Sequence, residues 1–173
     1  MRVVSFAAYS GEPSEELIDK ARRFLEELAR CSPRPVLAFG GYWGLMRVMV
    51  DEALRLGFTV LIFPPIERED WGFPSEAIVV RSGMGFRLRS IALVRTGDVL
   101  VAMGGGSGTM QEVVTAYAEG KDVFLLAPTG LPSDRLAEMA PYLDTRRLAE
   151  IHVYSDPIGM ARAVCRAVGG AVN

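Results

Sequence analysis

At 173 residues, half of them hydrophobic and 23% charged, the chain is long enough to fill one sizeable core and too apolar to be disordered. A net charge of −2 gives no electrostatic ground for a nucleic-acid partner or an anionic membrane surface, and no apolar run approaches a membrane span. Cys31 and Cys165 stand isolated, with no CxxC spacing, so no paired framework is expected and a reducing cytoplasm is the default location. With one histidine, His152, no metal site is expected.

Residues 2–8 read as a first strand, followed by a loop through Ser10 and Gly11. Ser14 is a candidate N-cap, with Glu15 and Glu16 complementing the helix dipole and Leu17, Ala21, Phe24, Leu25 and Leu28 at helical spacing. A proline-rich loop over 31–35 leads to a second strand at 36–39. That strand ends in the glycine turn Gly40-Gly41-Tyr42-Trp43-Gly44-Leu45-Met46, which opens a helix closed by Gly57. A third strand is expected over 58–63, an exposed charged loop over 64–75 and a short fourth strand over 77–80.

A helix over 84–95, ended by Gly97, precedes the most informative stretch of the chain. The apolar run Val99-Leu100-Val101-Ala102-Met103 reads as a strand buried on both faces. It runs into Gly104-Gly105-Gly106-Ser107-Gly108-Thr109, and the stripe Met110, Val113, Val114, Tyr117 then marks a helix closed by Gly120. Glycines let a ligand approach the backbone, and the unpaired N–H groups of a helix start favour an anion, phosphate above all. Further strands are expected at 123–127 and 151–154, with a short helix between Pro132 and Pro141, and Asp156 and Pro157 open a last helix. Strands alternate with helices throughout, which requires right-handed crossovers and a parallel sheet covered on both faces. The expected fold is a single three-layer α/β Rossmann-like domain over residues 1–173, with a mainly parallel, doubly wound sheet.

In such a sheet ligands lie beyond the carboxyl ends of the strands. Gly40, Gly41, the Gly104 to Thr109 run and Ser10 are therefore expected around one cleft that takes a mononucleotide or sugar phosphate. Glu112 has two readings. It completes a capping box with Thr109, or it stands beside the ligand as a base or a stabiliser of a cationic sugar. Arg87 and Arg89, two residues apart, point to different sides and on their own read as surface residues. His152 reads as structural. Asp98 is placed near Gly97, away from the ligand end, and Tyr42 and Trp43 either stack on a base or pack in the core. No lysine follows the glycines as a P-loop needs, and the GxGxxG fingerprint fails at Thr109 and Gln111.

The two glycine turns together resemble the GGxxxGLM turn and the PGGxGTxxE motif of the "lysine decarboxylase-like" family. That family includes the cytokinin-activating nucleoside 5′-monophosphate phosphoribohydrolases and is related in fold to the molybdenum cofactor carrier proteins. The resemblance covers roughly residues 2–130. It implies an N-glycosidic hydrolase releasing base and ribose 5-phosphate, or else a non-catalytic nucleotide or molybdenum-cofactor-type carrier, working without a bound cofactor and as a homodimer or larger homo-oligomer. It places the family's arginine on Arg89 and its catalytic glutamate on Glu112. There are two departures: Ser90 stands where the family has lysine, and Gly104 where it has proline. Pyridoxal-phosphate chemistry needs a lysine in the pocket, and Lys20 and Lys121 lie far from both turns in the chain.

Overall fold

A computed structural model describes all of residues 1–173. The elements in order are β1 (Val3–Ala8), α1 (Glu15–Leu28), β2 (Cys31–Ser32), β3 (Val36–Phe39), α2 (Gly44–Arg55), β4 (Val60–Ile62) and β5 (Ile78–Val79). Then come α3 (Phe86–Thr96), β6 (Val99–Met103), α4 (Ser107–Ala118), β7 (Val123–Leu126), β8 (Ile151–Tyr154), α5 (Pro157–Ala167) and β9 (Ala171–Val172). Short 3-10 turns occupy Ile66–Arg68 and Pro132–Met139. Seven strands form one sheet in the order β5-β4-β3-β1-β6-β7-β8, and every pairing in it is parallel.

Side chains of a strand alternate between faces, and this sheet buries both. Val4, Phe6, Leu37, Phe39, Val101 and Met103 pack on one side in the larger core, with α1, α2 and α5. Ala7, Leu100, Ala102, Val123 and Leu125 pack on the other, against α4. Ser5 is fully buried, and its hydroxyl donates to the Leu93 carbonyl at 2.7 Å, fixing α3 over the sheet. The chain winds from β1 outward through β3, β4 and β5, then returns to β6 and winds the other way. The switch point therefore lies between β1 and β6, where Ser5 to Ala8 pair with Leu100 to Met103.

Several expectations need correcting. Cys31 and Cys165 are not isolated: they form a disulfide across 134 residues of sequence. The antiparallel pair β2 and β9 closes the C-terminus onto the proline-rich loop and brings the two sulfurs together. No spacing rule reveals a contact made that late in the chain, and a reducing location no longer follows from the cysteines. The third and fourth strands are shorter than expected. Val114, assigned to the buried stripe of α4, is 48% exposed. No helix is long and apolar enough to cross a membrane.

Candidate functional site

A cleft of about 420 Å³ opens over the carboxyl ends of β1 and β6. That volume falls within the ordinary range for small-molecule sites. Its floor is the start of α4. Gly104 and Gly105 have φ of +72° and +147°, and a Cβ on either would collide, with Leu131 at 2.7 Å and with the Thr109 hydroxyl respectively. These two glycines are required by the turn itself. Gly106 and Gly108 differ: a Cβ on either would meet nothing within 4 Å. Nothing in the chain fills the space in front of them, and both line the cleft with Ser107 and Thr109.

The N-cap of α4 is Gly106, with no side-chain cap and no acidic residue in the first turn. The first N–H groups of a helix have no partner within it, so those of Ser107, Gly108 and Thr109 are left to a ligand, with the positive end of the helix dipole behind them. The Thr109 hydroxyl donates to the Gly104 carbonyl at 3.2 Å, so it braces the turn.

Arg89 and Glu112 form the wall, 6% and 8% exposed. The surface reading of Arg89 is wrong, because α3 lies flat on the sheet and turns this residue inward. Arg87 remains exposed at the cleft rim. The capping-box reading of Glu112 also fails. The helix starts at Ser107 rather than after Thr109, so Glu112 sits well inside the helix and its carboxylate turns to α3. There Arg89 Nη1 lies 3.7 Å from Glu112 Oε1, a distance of charge attraction rather than a hydrogen bond. Arg89 Nε is buried with no hydrogen-bond partner, an orphaned donor on a buried cation.

Ser90, at the position where the resemblance has lysine, donates to Glu112 Oε1 at 2.9 Å and also lies 3.1 Å from the Phe86 carbonyl. One hydroxyl proton cannot serve both acceptors. With Glu112 protonated, the carboxyl donates to Ser90 and Ser90 donates to Phe86. With Glu112 ionised, Ser90 turns its proton to the carboxylate. Burial pushes the Glu112 carboxyl up to about 7, against the opposing pull of Arg89 and Ser90. Burial likewise lowers the Arg89 guanidinium from its usual value, partly offset by Glu112.

The glycines of the first turn act at one remove. Neither Gly40 nor Gly41 lines the cleft. A Cβ on Gly40 would overlap the Arg89 guanidinium, and one on Gly41 would overlap the Trp43 ring. Gly40 makes room for the buried arginine and Gly41 for the aromatic wall. Gly44, at φ +55°, would press a Cβ to 2.6 Å from Gly11 O and Ser10 C, so its lack of a side chain lets the β1 loop seat on α2. The Leu45 N–H donates to Tyr9 O at 2.9 Å, which keeps Ser10 at the cleft. Tyr42 lies outside, donating to Asp51 at 2.6 Å.

Asp98 sits at the opposite ends of the strands, accepting from Arg2 and the Val3 N–H at 2.8 Å each. His152 stacks on Phe124 in the last strand of the sheet. Arg68 was hidden from sequence reasoning inside a charged loop. Its guanidinium lies 4.1 Å from the Trp43 ring centroid and 4.4 Å from that of Trp71, at the mouth of the cleft. The tryptophan three residues on was the only signal. No group of three or more His, Cys, Asp or Glu side chains is close enough to hold a metal ion.

The model of the SLOG cluster4 family matches residues 7–155. An uncharacterized protein of Archaeoglobus fulgidus is 33% identical over 119 residues, covering 69% of this chain and 76% of its own. Among solved structures, TM1055, a structural-genomics target, superposes with a TM-score of 0.84 at 32% identity, covering 96% of this chain and 99% of its own. The molybdenum cofactor carrier protein of Chlamydomonas reinhardtii superposes with a TM-score of 0.76 at 23% identity, over 97% and 98% of the two chains, a likeness of fold.

Proposed function

The chain belongs to the SLOG cluster4 family, and from that premise we propose that it is a binding or carrier protein for a phosphorylated small molecule, a nucleotide or a molybdenum-cofactor-type ligand. The observation that carries this reading is the pairing of an orphaned, buried Arg89 with the uncapped start of α4 in one cleft. Both features favour an anion: the helix start has none within the chain, and Arg89 has only the Glu112 carboxylate at 3.7 Å, with its Nε unpaired. The fold shared with a molybdenum cofactor carrier supports the same reading.

Calorimetry and thermal unfolding with inorganic phosphate, ribose 5-phosphate, nucleoside monophosphates and extracted molybdenum cofactor test it. A ligand at a hundred times its Kd stabilises the fold by about 2.7 kcal/mol. Absence of binding by every member of the panel would sink the proposal. A single-stranded oligonucleotide belongs in the panel, since the expectation of no nucleic-acid partner rests on net charge alone.

One observation favours a second reading, hydrolysis of the N-glycosidic bond of a nucleoside 5′-monophosphate. Glu112 stands in the cleft with its carboxyl near neutrality, beside a buried cation. In that role its carboxylate activates water or stabilises the oxocarbenium-like sugar, while Arg89 orients the phosphate or the leaving base. Chromatography of free base from a panel of monophosphates, with Glu112→Gln in parallel, decides it. Base release by the parent and its loss in the variant establish the hydrolase; binding without turnover leaves the carrier.

As for assembly, we read the exposed Leu88 and Ile91 of α3 and Val114 of α4 as the face where a second copy packs. Leu88→Arg is then expected to convert a dimer to a monomer in sedimentation velocity. A parent protein already monomeric at high concentration refutes this.

A further inference from the structure

Resting on the binding reading above, we propose that the Arg68 end of the cleft is a ring subsite, selective for planar heterocycles that present carbonyl oxygens. Trp43, Phe86 and Arg68 line the same cleft as the α4 start, so a ligand phosphate at that helix leaves its remainder facing them. The Arg68 guanidinium carbon lies 4.1 Å from the Trp43 ring centroid, 4.4 Å from that of Trp71 and 5.3 Å from that of Phe86. The Trp43 ring meets Trp71 edge-on at 5.7 Å and Phe86 at 6.5 Å. Three aromatic rings and one guanidinium thus form one assembly, in which Trp43, Phe86 and Arg68 line the cleft and Trp71 backs Arg68 from outside it.

Arg68 contrasts with the ion-paired arginines of this chain. Those at 2, 30, 55, 146 and 162 each face a carboxylate within 4.0 Å. Arg68 has no carboxylate that close and no hydrogen-bond acceptor, and it is held by ring faces alone. Its plane suits stacking on a heterocycle, and its five N–H donors, with no acceptor in the molecule, suit carbonyl edges. An amino group in place of the carbonyl offers those donors nothing and leaves them only the ring nitrogens.

Binding constants for ribose 5-phosphate, AMP and inosine 5′-monophosphate, with the parent and with Arg68→Met and Trp71→Leu, test the subsite. The two tryptophans supply a fluorescence readout. The order expected for the parent is inosine monophosphate, then AMP, then ribose 5-phosphate, with stacking worth about tenfold or more over the sugar phosphate. Arg68→Met is expected to erase the difference between the two nucleotides while ribose 5-phosphate binding is kept. Trp71 is 47% exposed, so Trp71→Leu leaves the fold intact and is expected to weaken both nucleotides but not the sugar phosphate. Equal binding of all three ligands by the parent, equal binding of the two nucleotides, or a preference unchanged in Arg68→Met overturns the subsite and leaves phosphate binding standing. Binding of inorganic phosphate but of none of the three ligands also overturns the subsite, and failure of the whole panel, molybdenum cofactor included, sinks the binding reading itself.

Discussion

Helices α4 and α5 each follow a parallel strand of the same sheet, so both present their positive ends along the same edge. They treat those ends in opposite ways. At α5, Asp156 accepts from the Ile158 and Gly159 N–H groups at 3.1 and 2.8 Å, and the helix start is closed by its own chain. At α4 the cap is a glycine and nothing closes it. α1 belongs with α5, since Ser14 Oγ accepts from the Leu17 N–H. α2 and α3 belong with α4, for neither has a side-chain cap, and their caps Trp43 and Gly85 lie in or beside the aromatic end of the cleft. A missing cap costs a helix about 1 kcal/mol. Three missing caps around one cleft, and two present elsewhere along the same edge, set the cleft apart from the rest of that edge.

The most direct way to break this contrast is to give α4 the cap that α5 has. In Gly106→Asp the new carboxylate takes the free N–H groups and brings negative charge to the anion site. Space is available there, since a Cβ at this position meets nothing within 4 Å. Phosphate-ligand affinity is expected to fall about a hundredfold, while thermal stability holds or rises by a few tenths of a kcal/mol. Calorimetry and thermal unfolding of the same preparation read both. Undiminished affinity would mean that the α4 start is not where the anion sits. Gly40→Ala attacks the other half of the site. The side chain it displaces is the flexible end of Arg89, so a loss of affinity of about tenfold is expected with only a small change in stability.

Next in size is the effect of Glu112, which sharpens the contrast by showing what the open site costs the fold. Its carboxyl ionises at about 7 in the folded protein, against 4.5 for an unperturbed glutamate. Between those values the native state holds a proton that the unfolded state has lost, so stability falls as pH rises through that window and levels off above it. The span corresponds to about 3 kcal/mol. Glu112→Gln is therefore expected to match the parent near pH 4 and to exceed it at pH 8. Subtracting the two urea-unfolding profiles cancels the carboxylates that are lowered, such as Asp98 and Asp144, whose contributions run the other way. An anion against Arg89 competes with the Glu112 carboxylate for the same cation. Ligand binding should then take up a proton and weaken as pH passes 7, and parallel profiles for parent and variant would refute the whole linkage.

The parallel, helix-covered sheet of this fold follows from features plainly legible in the chain. Continuous apolar runs such as Val99 to Met103 mark strands buried on both faces, and the alternation with helical stripes forces a parallel sheet. The glycine run pointed to the α4 start for the same local reason. What sequence hid were orientations set by packing. Arg89 looked like a surface residue because a charged side chain carries no local sign that its helix lies face down. Glu112 looked like a cap because Thr109 stands three residues before it, whereas φ/ψ at Gly104 to Gly106 let the helix start earlier, at Ser107. Gly40 and Gly41 read as ligand contacts, yet what they accommodate is Arg89 and Trp43 from other stretches of chain. The Cys31–Cys165 bridge depends on a C-terminal strand of two residues, too short for any periodicity to show.

The smallest effect comes from opening the helix start that the chain closes. Asp156→Ala leaves the Ile158 and Gly159 N–H groups to solvent and removes a negative charge from the positive end of α5. A loss of about 1 kcal/mol is expected, with no change in the binding of any phosphorylated ligand. The value of the experiment lies in that second half. Pro157 follows at N1, so α5 keeps its preorganised first turn, and an uncapped helix start is obtained with a single first-turn glycine, Gly159, and no buried arginine before it. If Asp156→Ala gains phosphate binding comparable to that of the cleft, then a bare helix start alone suffices and Arg89 adds little. If it gains none, the anion site needs both the open start of α4 and the orphaned guanidinium facing the same space, which is the arrangement only the cleft supplies.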